Sequence, residues 1–334
     1  MSQALIWWLP TRPVQAIEEF AIQLQISAGF HRPVSLGVVE HFAIQLSGLA
    51  VVAGLLALLM RRWARSLLLA ILVASLAWPV LSSAGQVPGT SGQERLRVLS
   101  ANLWRHSKDY ARTIDTLMRS EADIIGLTEV SPRWRRALRP LTDKYPYRVD
   151  CFALESYCQV MLLSRVPIVK PYVGRIWKTQ PIIAGGEIDW RGRRFTVLVT
   201  HLIWPLPLLE KGRGGPDAEP GPPVYLPGLV PDTWQAREAS NLARFLNELP
   251  PQLIIMGDFN GVPWSRVQQA FRSTTGLNNQ AGWDLSWPAW MPWPLRLPID
   301  HVLTRGHLVV TQFDDGPRTD SDHLPVIAEI GWQE

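Results

Sequence analysis

Cysteine is almost absent from this chain, at two residues, Cys151 and Cys158, in 334. Neither a Cys-x-x-Cys pair nor a His-Glu-x-x-His run occurs, so a zinc hydrolase has little support in the sequence. The two cysteines lie seven positions apart in "DCFALESYCQ". That spacing suits a small disulfide-closed loop joining two strands, or equally a pair of buried thiols. A disulfide would agree with an oxidising compartment. A strong charge excess is also missing, and a net charge of +4 is too modest to argue by itself for a nucleic-acid polyanion. The chain has no internal repeat, so a repeat architecture is excluded.

Charge is missing locally as well. "FAIQLSGLAVVAGLLALLM" (Phe42 to Met60) and "SLLLAILVASLAWPVL" (Ser66 to Leu81) contain no Asp, Glu, Lys or Arg, and "RRWAR" separates them. The first is near the length that crosses a hydrocarbon core, and the second reaches it if extended through Gly85. They predict a transmembrane helical hairpin over residues 42–85. The alternative, two buried helices of a soluble domain, would need a partner layer. Arg61, Arg62 and Arg65 in the link predict that it faces the cytoplasm, which places both flanks across the membrane. The expectation is an inner (plasma) membrane protein whose C-terminal domain is periplasmic or otherwise extracytoplasmic. Met1 to Pro10 is short for a signal peptide and the apolar runs begin too far in. Residues 1–41 carry Glu18, Glu19, Arg32, Glu40 and His41 among apolar clusters, which suits an interfacial helix better than a third span. Residues 86–94 read as a linker and 95–334 as one folded domain.

From Glu94 the pattern changes to short apolar runs alternating with polar-periodic segments. "LRVLSANLW", "ADIIGLTEV", "CQVMLLSR", "GGEIDWRGRRFTVLVTHL", "PQLIIMGDFN", "IDHVLTR" and "LPVIAEIGW" read as strands. "YARTIDTLMRSE" places Ile114, Leu117 and Met118 at helical spacing, and "TWQAREASNLARFLNEL" places Ala239, Leu242, Ala243 and Leu246 on one helix face. Many strands with few helices over this length fit one layered α/β domain. Trp204 to Trp234 is too rich in Pro and Gly for regular structure, and Gly282 to Pro298 holds four of the 16 tryptophans. Both read as long loops of the kind that carry function.

The apolar runs end in a recurring way. "LIIMGDFNGVPWS" leads from a buried strand into Asp258 and Asn260, with Gly257 and Gly261 freeing the backbone and Pro263 preventing continuation. On its own this is a strand followed by an Asx turn. "VLSANLW" ends in Asn102, "IIGLTEV" in Glu129 and "LVTHL" in His201, while "LPIDHVL" presents Asp300 and "TDSDHLPVI" presents Asp322 and His323. Each alone is a common cap or turn former. Together they are oxygen and imidazole donors at the edges of apolar runs, which is harder to assign to accident.

Their order and contexts, in "ANLW", "IIGLTEV", "LLSRVPI", "THL", "GDFNGVP", "IDHVL" and "SDHLPV", resemble the endonuclease/exonuclease/phosphatase superfamily over roughly Arg95 to Ile330. The resemblance implies an α/β four-layered sandwich of two mixed β-sheets with helices outside and a site where strand ends converge. It implies that Glu129 binds a divalent cation, Mg²⁺ or alternatively Mn²⁺, with Asn102 and Asp322 completing its surroundings. It implies that His323 is a general base or phosphate-facing imidazole oriented by Asp300, that Asp258 positions or deprotonates water, and that Asn260 and His201 hold the phosphoryl oxygens. Arg165 matches a position that contacts substrate or serves as an ion-pair partner. His301 fits a structural aromatic position, and Glu155 and Glu187 are both candidates for an acid behind His201.

The chemistry is coherent without the family. A phosphate ester is anionic and resists attack, so its site needs a cation, donors around phosphorus and a base aimed at water. The expected substrate is a phosphate ester, either nucleic acid, for which "RWRRALR" (Arg133 to Arg139) supplies a basic cluster, or a phospholipid headgroup, for which the Trp-rich loops are suited. No obligate protein partner is implied. The reading from another class, a non-catalytic membrane-tethered binding protein, predicts losses at the site, and every principal position is filled.

Overall fold

The computed structural model describes residues 40–60, 63–83, 94–152, 158–175, 182–205, 234–278 and 285–333. Outside them lie nearly all of the expected interfacial segment, Arg61 and Arg62 of the link, residues 86–93 of the expected linker, Glu155, Trp283 and most of the 204–234 loop.

The described residues 40–82 fall in one compact unit. Among the described residues it holds two helices, α1 (Ala43–Leu59) and α2 (Trp63–Ser83). They contact each other where Ser66 Oγ donates to the Gly54 carbonyl at 3.2 Å, and a Cβ on Gly54 would lie 3.7 Å from that of Leu69. The helical hairpin expected at 42–85 is therefore present, but its transmembrane assignment is corrected. Among the described residues no helix is long and apolar enough to cross a membrane. The 17 residues of α1 rise about 26 Å, short of a hydrocarbon core of about 30 Å. α2 is less apolar along its length, with Ser75 inside its run and Ser66, Ser82 and Ser83 at the ends. The expected inner-membrane anchor, and with it the extracytoplasmic placement, falls with this finding.

The second unit contains two mixed sheets. The first joins β1 (Leu96–Asn102), β2 (Ile124–Thr128), β3 (Tyr147–Asp150), β4 (Val160–Ser164), β10 (Leu308–Asp315) and β11 (Val326–Trp332) in the order β10-β11-β1-β2-β4-β3. The second runs β5-β6-β7-β8-β9, with β5 (Ile168–Arg175), β6 (Ile182–Trp190), β7 (Arg193–His201), β8 (Leu253–Asp258) and β9 (Asp300–Arg305). In each sheet one central pair is parallel, β1 with β2 and β7 with β8.

Three apolar clusters show how the layers stack. Val98, Ile124, Leu162, Val197, Val199, Ile254 and Met256, from both sheets, share one buried core. On the outer face of the second sheet, Leu198, Ile255 and Leu303 pack with helices α5 (Trp234–Asn247) and α6 (Arg266–Thr275). On the outer face of the first, Leu99, Ile125 and Met161 pack with α3 (Tyr110–Arg119) and α4 (Pro132–Ala137). The sheets are thus covered on both sides, which is why β2, β4 and β8 are buried at every position and read as unbroken apolar runs. At Gly126 the sheets approach so closely that a Cβ would meet the Met256 side chain at 2.7 Å.

Helix starts follow local chemistry. Asp109, Ser131 and Ser265 accept backbone N–H bonds at the N-termini of α3, α4 and α6. Gly276 closes α6 in the left-handed conformation at φ 67°.

Candidate active site

The ladders fix which residues meet. Asn102 pairs with Thr128, immediately before Glu129. His201 pairs with Asp258, and Asp258 pairs with Asp300 across the antiparallel β8–β9 ladder. Because Ser100 pairs with Val326, the segment before β11, with Asp322 and His323, returns to the same end. Both parallel pairs terminate there, so strand ends from the two sheets converge.

Backbone geometry at this end is specialised. Glu129 and Asn260 are non-glycine residues at φ 54° and 48°, a conformation tolerated at turns and common where side chains are aimed at a site. Gly257 sits at φ 140°, and a Cβ there would lie 1.9 Å from the Thr200 carbonyl oxygen. Only glycine allows β8 to lie this close to β7 just before it delivers Asp258.

Asp258 is the hub. Its Oδ2 accepts a hydrogen bond from Asn102 Nδ2 at 2.9 Å, and its Oδ1 accepts the Asn260 backbone N–H at 2.8 Å. The Nε2 atoms of His201 and His323 lie 3.6 and 3.7 Å from Oδ2. Burial, and next the charge of Asp300, push the Asp258 pKa up to about 8. His323 Nδ1 is 2.7 Å from Asp300 Oδ2. Burial alone would lower this imidazole's pKa, but Asp300 and Asp258 outweigh it and raise the value to about 10. The protonated imidazole is therefore the form the site favours. Its Nδ1–H donates to Asp300, and its Nε2 faces Asp258 Oδ2 at 3.7 Å.

Asn102 also donates to Glu129 Oε1 at 3.3 Å, while Glu129 Oε2 accepts the Arg105 backbone N–H at 2.9 Å. Asp322 Oδ1 lies 4.0 Å from His323 Nε2, and its Oδ2 accepts the Trp287 indole N–H at 3.3 Å. Burial, with a further contribution from Glu129, raises the Asp322 pKa. Asn260 Nδ2 donates to the Leu202 carbonyl at 2.8 Å and stands 3.2 Å from His201 Nε2.

The donor set fits a hard divalent cation. Asp322 Oδ1, Asp300 Oδ1 and Asn260 Oδ1 are buried oxygens without a hydrogen-bond partner, and Glu129 and Asp322 are close enough to repel. Bare oxygens among excess carboxylates suit Mg²⁺, which takes oxygen ligands and retains water. Asp258, Asp300 and His323 also bring ligand atoms within 4.8 Å of one another. In that trio, however, Asp300 Oδ2 already accepts from His323 Nδ1 and from Ser286 Oγ, the latter at 2.6 Å. Glu129 and Asp322, with Asn102, could hold the ion without breaking that pair.

Not every expected residue is here. Arg165 follows β4, whose Ser164 pairs with Ile124 at the opposite end of β2 from Glu129. Its guanidinium binds Glu121 at 3.1 Å and lies over the Tyr145 ring. The expected substrate contact is corrected to the ion-pair alternative. Glu187 Oε1 accepts the Tyr172 hydroxyl at 2.6 Å on β6, far along the ladder from His201, so it is not the acid behind that imidazole. His301 is buried, and its Nε2 is 2.7 Å from the Gly261 carbonyl oxygen. Burial lowers its pKa to about 4, and it serves the turn that carries Asn260. The two cysteines form a disulfide.

Sequence reading missed the supports. Gln235 Nε2 donates to the carbonyls of Ile203, Phe259 and Asn260 at 3.0, 3.2 and 2.8 Å, and Glu238 Oε2 accepts the Ile203 N–H at 2.7 Å. These tie the turns after β7 and β8 to α5. Their only sequence signal is a polar residue on the buried face of a helix. Ser286 and Trp287, which hold Asp300 and Asp322, gave none beyond membership of a Trp-rich loop.

The second unit is thus a two-sheet α/β sandwich with acids, amides and imidazoles gathered at one end of the strands. The chain belongs to the Endonuclease/Exonuclease/phosphatase family, whose sequence profile matches residues 99–323. Members of this family use divalent metals. Among solved structures it is similar to an endonuclease/exonuclease/phosphatase from Bacteroides vulgatus, at 13% identity and TM-score 0.53, covering 72% of this chain and 100% of that one. D. rerio TDP2, crystallised with a single-strand DNA product, gives 14% identity and TM-score 0.51 over 72% and 100% of the two chains. A beta toxin variant from Staphylococcus aureus with bound magnesium ions gives 16% and 0.50 over 72% and 100%. These likenesses are of fold. No curated protein matches the sequence.

Proposed function

We propose that this protein is a Mg²⁺-dependent phosphoric-ester hydrolase that directs water at phosphorus without a covalent protein intermediate. The observation that carries this reading is the position of Asp258, buried between Asn102, His201 and His323 at the meeting point of the strand ends. Glu129 and Asp322, with Asn102, would hold the cation, which supplies charge neutralisation to the phosphoryl oxygens.

The chain's own groups do the rest. In its ionised form Asp258 accepts a proton from the attacking water, and burial beside Asp300 raises its affinity for that proton. The Asn260 backbone N–H holds Asp258 Oδ1 in place. His323, kept protonated by Asp300, offers Nε2–H to the negative charge that grows on the phosphoryl group. His201, whose Nε2 is 3.2 Å from Asn260 Nδ2 and 3.6 Å from Asp258 Oδ2, stands beside the same position.

Two substrate classes have specific support. Arg133, Arg136 and Arg139 are exposed and recur every third residue just after Glu129, which suits a nucleic-acid backbone. Trp290, Trp293 and Leu295 stay 60%, 66% and 47% exposed on the segment whose Ala289 N–H binds the Asp322 carbonyl, which suits a phospholipid headgroup at an interface. Purified protein incubated with plasmid DNA and with mixed phospholipid vesicles, each with Mg²⁺ or with chelator, separates them. Chelator-sensitive nicking supports the first and headgroup release the second, while hydrolysis of neither, nor of small phosphodiesters, overturns the proposal.

A further inference from the structure

Two acids flank the His323 imidazole, Asp300 at Nδ1 and Asp322 toward Nε2. Both are held by neighbouring residues of one segment. Ser286 Oγ donates to Asp300 Oδ2 at 2.6 Å, and the Trp287 indole N–H donates to Asp322 Oδ2 at 3.3 Å. We propose that Ser286 and Trp287 form a positioning clamp that sets the two carboxylates independently, Ser286 governing Asp300, which orients the His323 imidazole, and Trp287 governing Asp322 on the cation side. This rests on the hydrolase reading above and extends it to two residues outside the reacting set.

The clamp is rigid for stated reasons. The Trp287 N–H and carbonyl exchange hydrogen bonds with Leu297, the Leu324 N–H donates to the Ser286 carbonyl, and the Ala289 N–H donates to the Asp322 carbonyl. The last two bonds fasten the clamp to the residues on either side of His323. Trp287 is further fixed by an edge contact with Trp204, ring centroids 4.8 Å apart. Ser286 is fully buried.

Each donor leaves its acid one free oxygen. Asp300 Oδ2 accepts from both Ser286 and His323, so the carboxylate cannot rotate away from the imidazole without losing two bonds at once. In Asp322 the indole occupies Oδ2 and leaves Oδ1 buried without a partner, the oxygen nearer His323 Nε2. A donor that fixes one carboxylate oxygen and presents the other is what a metal ligand requires of its surroundings, and loss of such a donor weakens metal binding by about 10- to 100-fold.

The two halves separate experimentally. Calorimetric Mg²⁺ titration and steady-state hydrolysis of a small phosphodiester are compared for the wild type, Trp287→Phe, Ser286→Ala and Ser286→Thr. Trp287→Phe keeps the ring against Trp204 and removes the N–H. It is expected to weaken Mg²⁺ binding by about tenfold or more and to recover kcat at saturating Mg²⁺. Ser286→Ala is expected to lower kcat while leaving Mg²⁺ binding and KM near wild type, and Ser286→Thr, which keeps a hydroxyl, to restore kcat. If Trp287→Phe fails to fold, Trp287→Tyr, which also lacks the indole N–H, repeats the titration. Mg²⁺ binding by the Trp287 variant equal to wild type, or a loss in Ser286→Ala that Thr does not restore, overturns the clamp while leaving the hydrolase reading intact. Wild type that binds no Mg²⁺ overturns the reading itself, and the clamp with it.

Discussion

Asp258 and Asp300 stand directly opposite each other in the β8–β9 ladder, each only 1% exposed. Two buried carboxylates side by side repel, and His323 is the group that compensates them, at 3.7 and 2.7 Å. Stability and chemistry are therefore coupled at this imidazole.

In the metal-free protein that coupling predicts loss of stability on the alkaline side. The raised folded-state pKa of His323, about 10, means its contribution is complete below the unfolded value near 6.5 and is lost as pH rises through about 10. Asp258, raised to about 8, binds its proton more tightly in the folded state and pulls the same way. Denaturant unfolding between pH 7 and 10 should show stability falling by about 2 kcal/mol or more. His323→Gln should flatten that dependence, and an equally steep fall in the variant would contradict the assignment.

His301 governs an acid limb of opposite sign. Its folded pKa is lowered to about 4 by burial, so the unfolded chain binds the extra proton first as pH drops below about 6.5. Between pH 7 and pH 5 this single group should remove about 2 kcal/mol of stability. His301→Gln should lose correspondingly less over the same interval, whatever its stability at pH 7.

Gly257→Ala should be among the most damaging single changes in the domain. Its φ of 140° and the 1.9 Å approach of a Cβ to the Thr200 carbonyl force β8 away from β7 where His201 and Asp258 pair. We expect a loss of more than about 3 kcal/mol, read by thermal unfolding, with hydrolysis lost even in the fraction that folds.

Removal of the Cys151–Cys158 disulfide tests a separate region. The bridge closes a short loop, sequence separation seven, with both sulfurs buried. The chain-entropy argument gives about 2–3 kcal/mol for a loop of this length. The double Cys→Ser variant should lose stability on that scale and keep its activity, since the hydrogen-bond contacts of Cys151 and Cys158 are with each other and with Val160, not with the cluster around Asp258.

Most of the second unit was legible because it is buried on both faces of each sheet. Strands such as β2, β4 and β8 appear as compact apolar runs, and the polar residue that ends each run is conspicuous against it. Asn102, Glu129, His201, Asp258, Asp300 and His323 could thus be read from strand ends before any geometry was known. The edge strands were harder to see. β5 carries Pro171, which a central strand would not tolerate, and β10 ends in two aspartates. Residues that act through other residues left no pattern at all, because Ser286, Trp287 and Gln235 owe their roles to packing between segments distant in sequence. Arg165 misled for the same reason in reverse, since a local string does not say which end of a strand it occupies. The 42–85 hairpin showed the limit of composition, where an uncharged run gave helices but not the length and apolarity of a span.

The central claim is that Asp258 activates water in a cation-dependent site. The most direct measurement is steady-state hydrolysis of a small phosphodiester by wild type and Asp258→Asn, each with Mg²⁺ and with chelator, alongside thermal unfolding. The account predicts chelator-sensitive turnover by the wild type and a loss of about 10³-fold in the variant, with a folded, cooperative thermal transition retained because the amide has the size of the carboxyl it replaces. Turnover that persists in chelator, or an Asp258→Asn variant that retains wild-type rates, would contradict it.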